Sequence, residues 1–513
     1  MAVRHQSEPI PDENPPKDAC GVFGVWAPGE DVAKLTYYGL YALQHRGQEA
    51  AGIAVSDFSN VVVYKDLGLV AQVFDESTLA SLTGSLAIGH TRYSTTGSCT
   101  YENAQPSFKQ IRGGRGSVAL GHNGNLTNTH DLSREPDAIG AGDDMGATTD
   151  SDLITTLLAA NPDVSLEEAA VSVLPRLRGA FSLVFMDENT LYAARDRNGV
   201  RPLVLGRLER GWVVASETAA LDIVGASFMR EIEPGELVAI DANGIRTRTW
   251  AQAEPKGCLF EYVYLARPDT RIAGRGVHAT RVELGRQLAR EAPAVADMVI
   301  PVPESGGPAA IGYAEQSGIP YGEGLVKNRY VGRTFIQPSD TIRQLGIRLK
   351  LNPVREILHG KKLVVVDDTI VRGNTQRALV RMLREAGALE VHVRISAPPV
   401  KWPCFYGIDF ATKAELIANA ATIDEIRRHI GADTLAYVSL DGLVAATTIP
   451  GERLCRACFD GQYPIELPGD DRLGKHLLEG ISTNVLGSPA AGPDALTDAL
   501  IQGAGATDAL NGP

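Results

Sequence analysis

The densest chemistry in this chain lies in thirteen residues of its carboxyl half, Leu363-Val-Val-Val-Asp367-Asp368-Thr369-Ile-Val-Arg372-Gly373-Asn374-Thr375. An apolar strand ends there in two adjacent carboxylates, and a short loop of Thr, Gly, Asn and Thr leads into a helix. Loop N–H groups and a helix N-terminus form an anion site, and ligands of open α/β sheets bind beyond the carboxyl ends of the strands. Two acids beside such a pocket suit Mg²⁺ or ribose hydroxyls, because hard cations take oxygen ligands. Val302-Pro-Glu304-Ser305-Gly-Gly307 follows a second expected strand end. Lys327-Asn-Arg329-Tyr330-Val-Gly-Arg333 places three cations within seven residues. Taken alone, that last segment is as readily a solvated basic loop as a binding one.

A different chemistry is available at Asp18-Ala-Cys20-Gly-Val-Phe-Gly24, where a cysteine sits between a polar leader and the first expected strand. If the leader is removed after Ala19, the α-amine of Cys20, with an ordinary pKa of about 7.7–8.0, can act as base for its own thiol. The plain alternative is a small buried cysteine. Four further cysteines fall at Cys258, Cys404, Cys455 and Cys458, the last two as C-x-x-C. Four thiolates bind Zn²⁺ or an iron–sulfur cluster equally well by count. Their scattered spacing suits a staple between distant segments. Cys99 has no partner signature and reads as a plain thiol.

Elements must position these groups. The chain has 513 residues, enough for roughly two to four domains. Residues 1–19 are polar and proline-rich and read as a disordered propeptide. From 20 to 253, short apolar runs such as Val22–Trp26, Leu86–Arg92, Val118–His122 and Phe181–Asp187 alternate with glycine and Asx turns. With helices at Asp150–Ala160 and behind the Ser165–Glu168 capping box, this reads as a layered α/β sandwich. From 254 to 468, strands at Met298–Val302, Lys362–Val366 and Val391–Ile395 alternate with helices at Glu283–Ala292, Pro308–Gln316 and Thr375–Ala386, implying a parallel sheet. Residues 469–513 form an Ala-, Gly- and Asp-rich tail, expected to be mobile.

Composition narrows the function. Lys and Arg total 49 against 62 Asp and Glu, for a net charge of −13, which argues against a nucleic-acid binder. No apolar run approaches the ~18 residues a membrane helix needs, and the first nineteen residues lack a signal-peptide core. A cytoplasmic protein with reduced cysteines is expected.

Cys20 is followed by Tyr41-Ala-Leu-Gln-His-Arg-Gly47, Gly89-His90-Thr-Arg92-Tyr93, Gly121-His122-Asn123-Gly124-Asn-Leu126 and Thr149-Asp150-Ser-Asp152. Together these resemble class II glutamine amidotransferase domains, which are amino-terminal-nucleophile (Ntn) hydrolases with an αββα sandwich. The resemblance implies that Cys20 is the nucleophile, Arg92 holds the glutamine α-carboxylate, Asp150 holds the α-amine, and Asn123 with the N–H of Gly124 forms the oxyanion hole. His90 and His122 read as structural hydrogen-bonding residues. The Asp367–Asp368 string resembles the phosphoribosyl-pyrophosphate (PRPP) signature of type I phosphoribosyltransferases. That likeness assigns Asp367 and Asp368 to ribose and Mg²⁺, and Thr369, Arg372, Gly373, Asn374 and Thr375 to PRPP and its 5′-phosphate. It places Glu304 and Ser305 at the pyrophosphate, with Ser305 near the metal. Lys327, Arg329, Tyr330 and Arg333 then look like a lid that closes on pyrophosphate.

The two resemblances run in order from Cys20 to about Ile465, and the chain is identified as a member of the amidophosphoribosyltransferase family. Likeness to its bacterial iron–sulfur members implies a [4Fe–4S] cluster on Cys258, Cys404, Cys455 and Cys458. Also implied are glutamine and PRPP as substrates, purine-nucleotide feedback inhibitors, a homotetramer and a self-cleaved propeptide. Other class II amidotransferases lack the Asp367–Asp368 loop. A non-enzymatic PRPP-sensing regulator would not need the complete amidase set.

Overall fold

The computed structural model describes residues 19–93, 98–114, 116–135, 148–328, 351–408 and 413–469. The amino-terminal half is four layers deep. One antiparallel sheet has seven strands, in spatial order Ser227–Glu231, Val204–Leu208, Gly211–Ala215, Gly21–Trp26, Leu86–Arg92, Ala50–Ser56 and Val61–Leu67. A second has six, in the order Gly244–Thr249, Glu236–Asp241, Leu191–Arg195, Gly179–Met186, Ser117–Leu126 and Ser107–Gln110. Their facing sides bury Val22, Ile88, Val184, Val214 and Val238 against one another. Helix Val32–Ala42 covers the outer face of the first sheet through Leu40, against Phe23 and Ile53. Helices Asp150–Leu158 and Leu166–Val173 cover the second, against Leu120 and Phe185. Central strands are therefore buried on both faces, which is why they read as continuous apolar runs.

The carboxyl-terminal half holds a parallel sheet ordered Met298–Pro301, Lys362–Asp367, Glu390–Ile395, Thr434–Tyr437. Helices Val277–Glu291, Gly307–Ser317 and Asn374–Glu385 belong to this half.

Two departures from the sequence reading bear on function. The strand expected over Val118–His122 continues to Leu126, so Asn123 and Gly124 stand within a sheet. Gly and Asn are poor strand formers, but unbroken pairing from Ala119 with Met186 to Leu126 with Gly179 overrides that preference. Ala19, expected in the disordered leader, is fully buried in the core that also contains Ala180, Val200 and the carboxyl-terminal half. Expectations for residues 1–18 and for the tail from 470 lie outside the described residues.

The halves meet through buried charge. Arg46, on the loop after helix Val32–Ala42, pairs with Glu217 and, at 2.6 Å, with Glu261 of the carboxyl-terminal half. Arg201 reaches the same Glu261 at 3.2 Å. Burial opposes both charges of the Arg46–Glu217 pair. Each nonetheless favours the other, so Glu217 is held well below the usual carboxylate range.

Candidate active site

Cys20 precedes strand Gly21–Trp26, and Arg92 ends the neighbouring strand, whose Thr91 lies opposite Gly21. Those strand ends, Gly124 and the helix start at Asp150 enclose a small cleft, further lined by Tyr93, Gln105, His122, Thr149 and Ser151. Cys20, Arg92, Gly124 and Asp150, remote in sequence, are thus brought together.

The Cys20 thiol donates to the Tyr93 carbonyl at 3.3 Å and accepts from the Tyr93 N–H at 3.4 Å. Burial pushes this thiol up to about 11, against the opposing pull of the Tyr93 backbone and Arg92. At neutral pH it is a thiol that needs a base before it can attack. Burial alone would raise the Asp150 carboxyl. His122 Nδ1 at 3.5 Å and the N–H groups of Leu126 at 3.2 Å and Ser151 at 2.9 Å hold it below its usual value instead. A carboxylate kept ionised in a cleft can receive an ammonium group.

Asn123 is fully buried, and neither of its amide atoms has a partner among the described residues. Side chains alternate along a strand. Gly121, two residues earlier, faces Val22 and His90, so Asn123 is turned toward the sheet that carries Cys20. Asn123 does not itself line the cleft, but buried polar groups are nearly always bonded, and a free amide turned toward that sheet can serve developing negative charge. At Gly124 a Cβ would lie 2.0 Å from the Ala180 carbonyl oxygen and 2.9 Å from His122 Nε2, so no larger residue fits.

The two histidines differ. Burial pushes His90 down to about 3. It is neutral, and its Nε2–H donates to the His122 carbonyl at 3.0 Å, a structural bond. His122 also makes structural bonds, to Ser151 Oγ at 3.3 Å and through its N–H to Gln105 Oε1 at 2.8 Å, but it does so on the cleft wall. Gln105, which also donates to Ser151 Oγ at 2.9 Å, carries no motif signal and is found only in three dimensions.

In the other half, Pro301 pairs with Val366, so the loops after strands Met298–Pro301 and Lys362–Asp367 leave the sheet side by side. Ser305 Oγ donates to Asp368 Oδ1 at 2.6 Å, and Thr369 Oγ1 donates to Asp368 Oδ2 at 2.5 Å. The Asp367 carboxyl is pushed well above its usual value by burial and by Asp368. Gln376, unforeseen in the sequence, donates to Asp367. Two adjacent buried acids are stabilised by a cation or by donating hydroxyls, which fits the donor set expected for Mg²⁺ and ribose. Gly373 caps helix Asn374–Glu385, which begins with Asn374 and Thr375. Arg372 pairs with Glu415 at 2.7 Å, and Lys327 lies 3.4 Å from Glu304. Arg329, Tyr330 and Arg333 lie outside the described residues.

Cys258, Cys404, Cys455 and Cys458 lie near one another. Cys258 and Cys455 are register partners in a short parallel pair, Cys458 follows on the turn Ala457–Asp460, and Cys404 Sγ accepts from the Tyr406 N–H at 3.4 Å. Burial pushes Cys258 up to about 11 and raises Cys455 and Cys458, with neighbouring cysteines adding to each shift. Among the described residues, no three Cys, His, Asp or Glu come close enough to hold one metal ion.

A glutamine amidotransferase domain family matches residues 90–222. The chain is 67% identical to the amidophosphoribosyltransferase of Mycobacterium tuberculosis, over 96% of this chain and 95% of that one. It is 45% identical to the Bacillus subtilis amidophosphoribosyltransferase, over 91% and 98%. The solved B. subtilis glutamine PRPP amidotransferase complexed with ADP and GMP superposes with a TM-score of 0.82 at 45% identity, over 88% of this chain and 98% of that one.

Proposed function

The chain belongs to the amidophosphoribosyltransferases, and on that premise we propose how its residues divide the work. It catalyses glutamine-dependent synthesis of 5-phosphoribosylamine from PRPP, the first committed step of de novo purine biosynthesis. Glutamine, PRPP and water give phosphoribosylamine, glutamate and pyrophosphate.

In the amino-terminal cleft the Cys20 sulfur attacks the glutamine side-chain amide. The carbon–nitrogen bond breaks, ammonia leaves, and water hydrolyses the resulting thioester. One observation carries this reading: a buried thiol with its pKa near 11 stands in one cleft with Arg92, Gly124 and Asp150. Such a thiol needs a base in contact. The α-amine of Cys20 itself, freed by removal of residues 1–19, has a suitable pKa of about 7.7–8.0. Arg92 binds the substrate carboxylate as a bidentate fork. Asp150 binds the ammonium group, and Asn123 with the Gly124 N–H stabilises the oxyanion.

Ammonia passes internally to the second site, where it displaces pyrophosphate at ribose C1. Asp367 and Asp368 bind the ribose hydroxyls, and the Thr369–Thr375 loop binds the 5′-phosphate. Glu304, Ser305, Lys327, Arg329, Tyr330 and Arg333 surround the pyrophosphate and exclude water. Ser305, Asp367 and Asp368 would hold Mg²⁺, which when bound neutralises charge on the departing group. Cys258, Cys404, Cys455 and Cys458 would hold a [4Fe–4S] cluster that ties the start of the second half to its carboxyl-terminal segment. The influence of Cys258, Cys404 and Cys455 on the Cys458 thiol supports a site shared by all four.

Purine nucleotides are proposed as feedback inhibitors, a homotetramer as the assembly, and the cytoplasm as the location. No described helix is long and apolar enough to cross a membrane.

Cys20→Ala tests the division of labour. Glutamine-dependent synthesis should disappear while ammonia-dependent synthesis persists. Loss of both together would refute it.

A further inference from the structure

All residues assigned to the glutamine cleft come from the amino-terminal half, yet a segment of the other half, Cys404–Ile408, packs against Gly124 and Asn125. At Gly407, whose φ is +97°, a Cβ would lie 2.9 Å from both C and Cα of Gly124 and 3.0 Å from its carbonyl oxygen. One residue further, Asn125 Nδ2 donates to the Phe405 carbonyl at 3.1 Å. A Cβ on Gly124 itself would meet the Ala180 carbonyl of the neighbouring strand. The Gly124 backbone is therefore clamped between its own sheet and Gly407.

The pressing segment is itself anchored. Arg201, fully buried, donates from Nε to the Tyr406 carbonyl at 2.9 Å. The Tyr406 hydroxyl donates to the Ile465 carbonyl at 2.7 Å and accepts from the Ile465 N–H at 3.1 Å. A segment with so many fixed points behaves as a wall rather than a flap.

We propose that Cys404–Ile408 is a positioning segment for the amidase. Gly407 and Phe405, contributed by the PRPP-binding half, fix the Gly124 N–H where negative charge develops on the glutamine carbonyl. The proposal rests on the oxyanion role given to Gly124 above. Oxyanion donors act only at about 2.7–3.1 Å from the developing charge, and a misplacement of about 1 Å can cost 10²-fold. Glycine is required at 407 because any side chain would push into backbone, which cannot rotate away as a side chain can.

The test uses Gly407→Ala in the full-length enzyme. Glutaminase kcat should fall at least tenfold, up to the ~10²–10³-fold lost when a donor is removed outright. The KM for glutamine should stay within about threefold, because ground-state binding by Arg92 and Asp150 is untouched. Ammonia-dependent synthesis should be unchanged, as should the rate of Cys20 alkylation by iodoacetamide, a reaction that develops no oxyanion. An unchanged glutaminase kcat would overturn the proposal. If Gly407→Ala lowers every readout together, Asn125→Ala decides, since it removes the Phe405 tether without adding bulk. A selective loss of glutaminase kcat in that variant supports the clamp, and wild-type glutaminase overturns it. Failure of the underlying amidase reading would look different, because Cys20→Ala would then retain glutaminase.

Discussion

Replacing Asn123 with Ala separates catalysis from stability more sharply than any other change at this site. Its amide is fully buried and makes no hydrogen bond with any described residue, so the substitution breaks no ground-state bond. An unsatisfied buried amide costs about 1–3 kcal/mol, which the variant recovers. The vacated space, a few tens of Å³, costs on the order of 1 kcal/mol at about 24 cal/mol per Å³. These effects offset, and stability should stay within about 1.5 kcal/mol of wild type. Loss of one oxyanion donor, in contrast, costs about 10²–10³ in kcat, or about 2.7–4 kcal/mol of transition-state stabilisation. The assays are glutamate release from glutamine with PRPP present, ammonia-dependent synthesis as internal control, and thermal unfolding. KM should stay within about threefold, because the donor acts only as charge develops. A kcat within tenfold of wild type, or a stability loss above about 3 kcal/mol, would show that Asn123 is a structural residue and refute the reasoning.

Other consequences are equally open to measurement. Glu217→Gln keeps the side-chain shape but leaves Arg46 short of one buried partner, and should cost about 3–5 kcal/mol. Because Glu217 is held well below 4.5 in the folded chain, its contribution is present above that pH and is lost as pH falls toward the folded value. The variant's unfolding temperature should therefore depend less on pH below about 4.5, and an unchanged acid limb would contradict this. Asp367→Ala with Asp368→Ala should abolish synthesis from either nitrogen source while basal glutaminase survives. Retained synthesis would exclude the metal and ribose role. Purified enzyme should be brown with about four irons per chain, and Cys404→Ala should lose them. Colourless protein containing zinc would contradict the cluster.

Chemistry carried by contiguous residues was legible from the sequence. A strand, a loop and the first turn of a helix are adjacent in the chain, so Asp367 to Thr375 stand out as a candidate anion site through local turn and capping chemistry. Cys20 stood out by its place between a polar leader and an apolar run. Arg92, Asn123, Gly124 and Asp150 emerged only by resemblance, because nothing local distinguishes an arginine at a strand end from any other. The layered sandwich and the parallel sheet followed from the rhythm of apolar runs. The extension of one strand through Asn123 and Gly124 did not, since their own preferences oppose it and only pairing with Gly179–Met186 enforces it.

Tertiary structure alone decided the contacts that set reactivity. Gln105 supporting His122, Gln376 on Asp367, Arg46 between Glu217 and Glu261, and Gly407 against Gly124 all join segments through folding rather than through motif. The same holds for magnitudes. A cysteine's type gives a nucleophile, but only its burial beside Tyr93 and Arg92 fixes how firmly that sulfur keeps its proton. Residue type and spacing name the reacting groups because bonding capacity is local. Desolvation and long-range packing depend on everything else the chain folds around them.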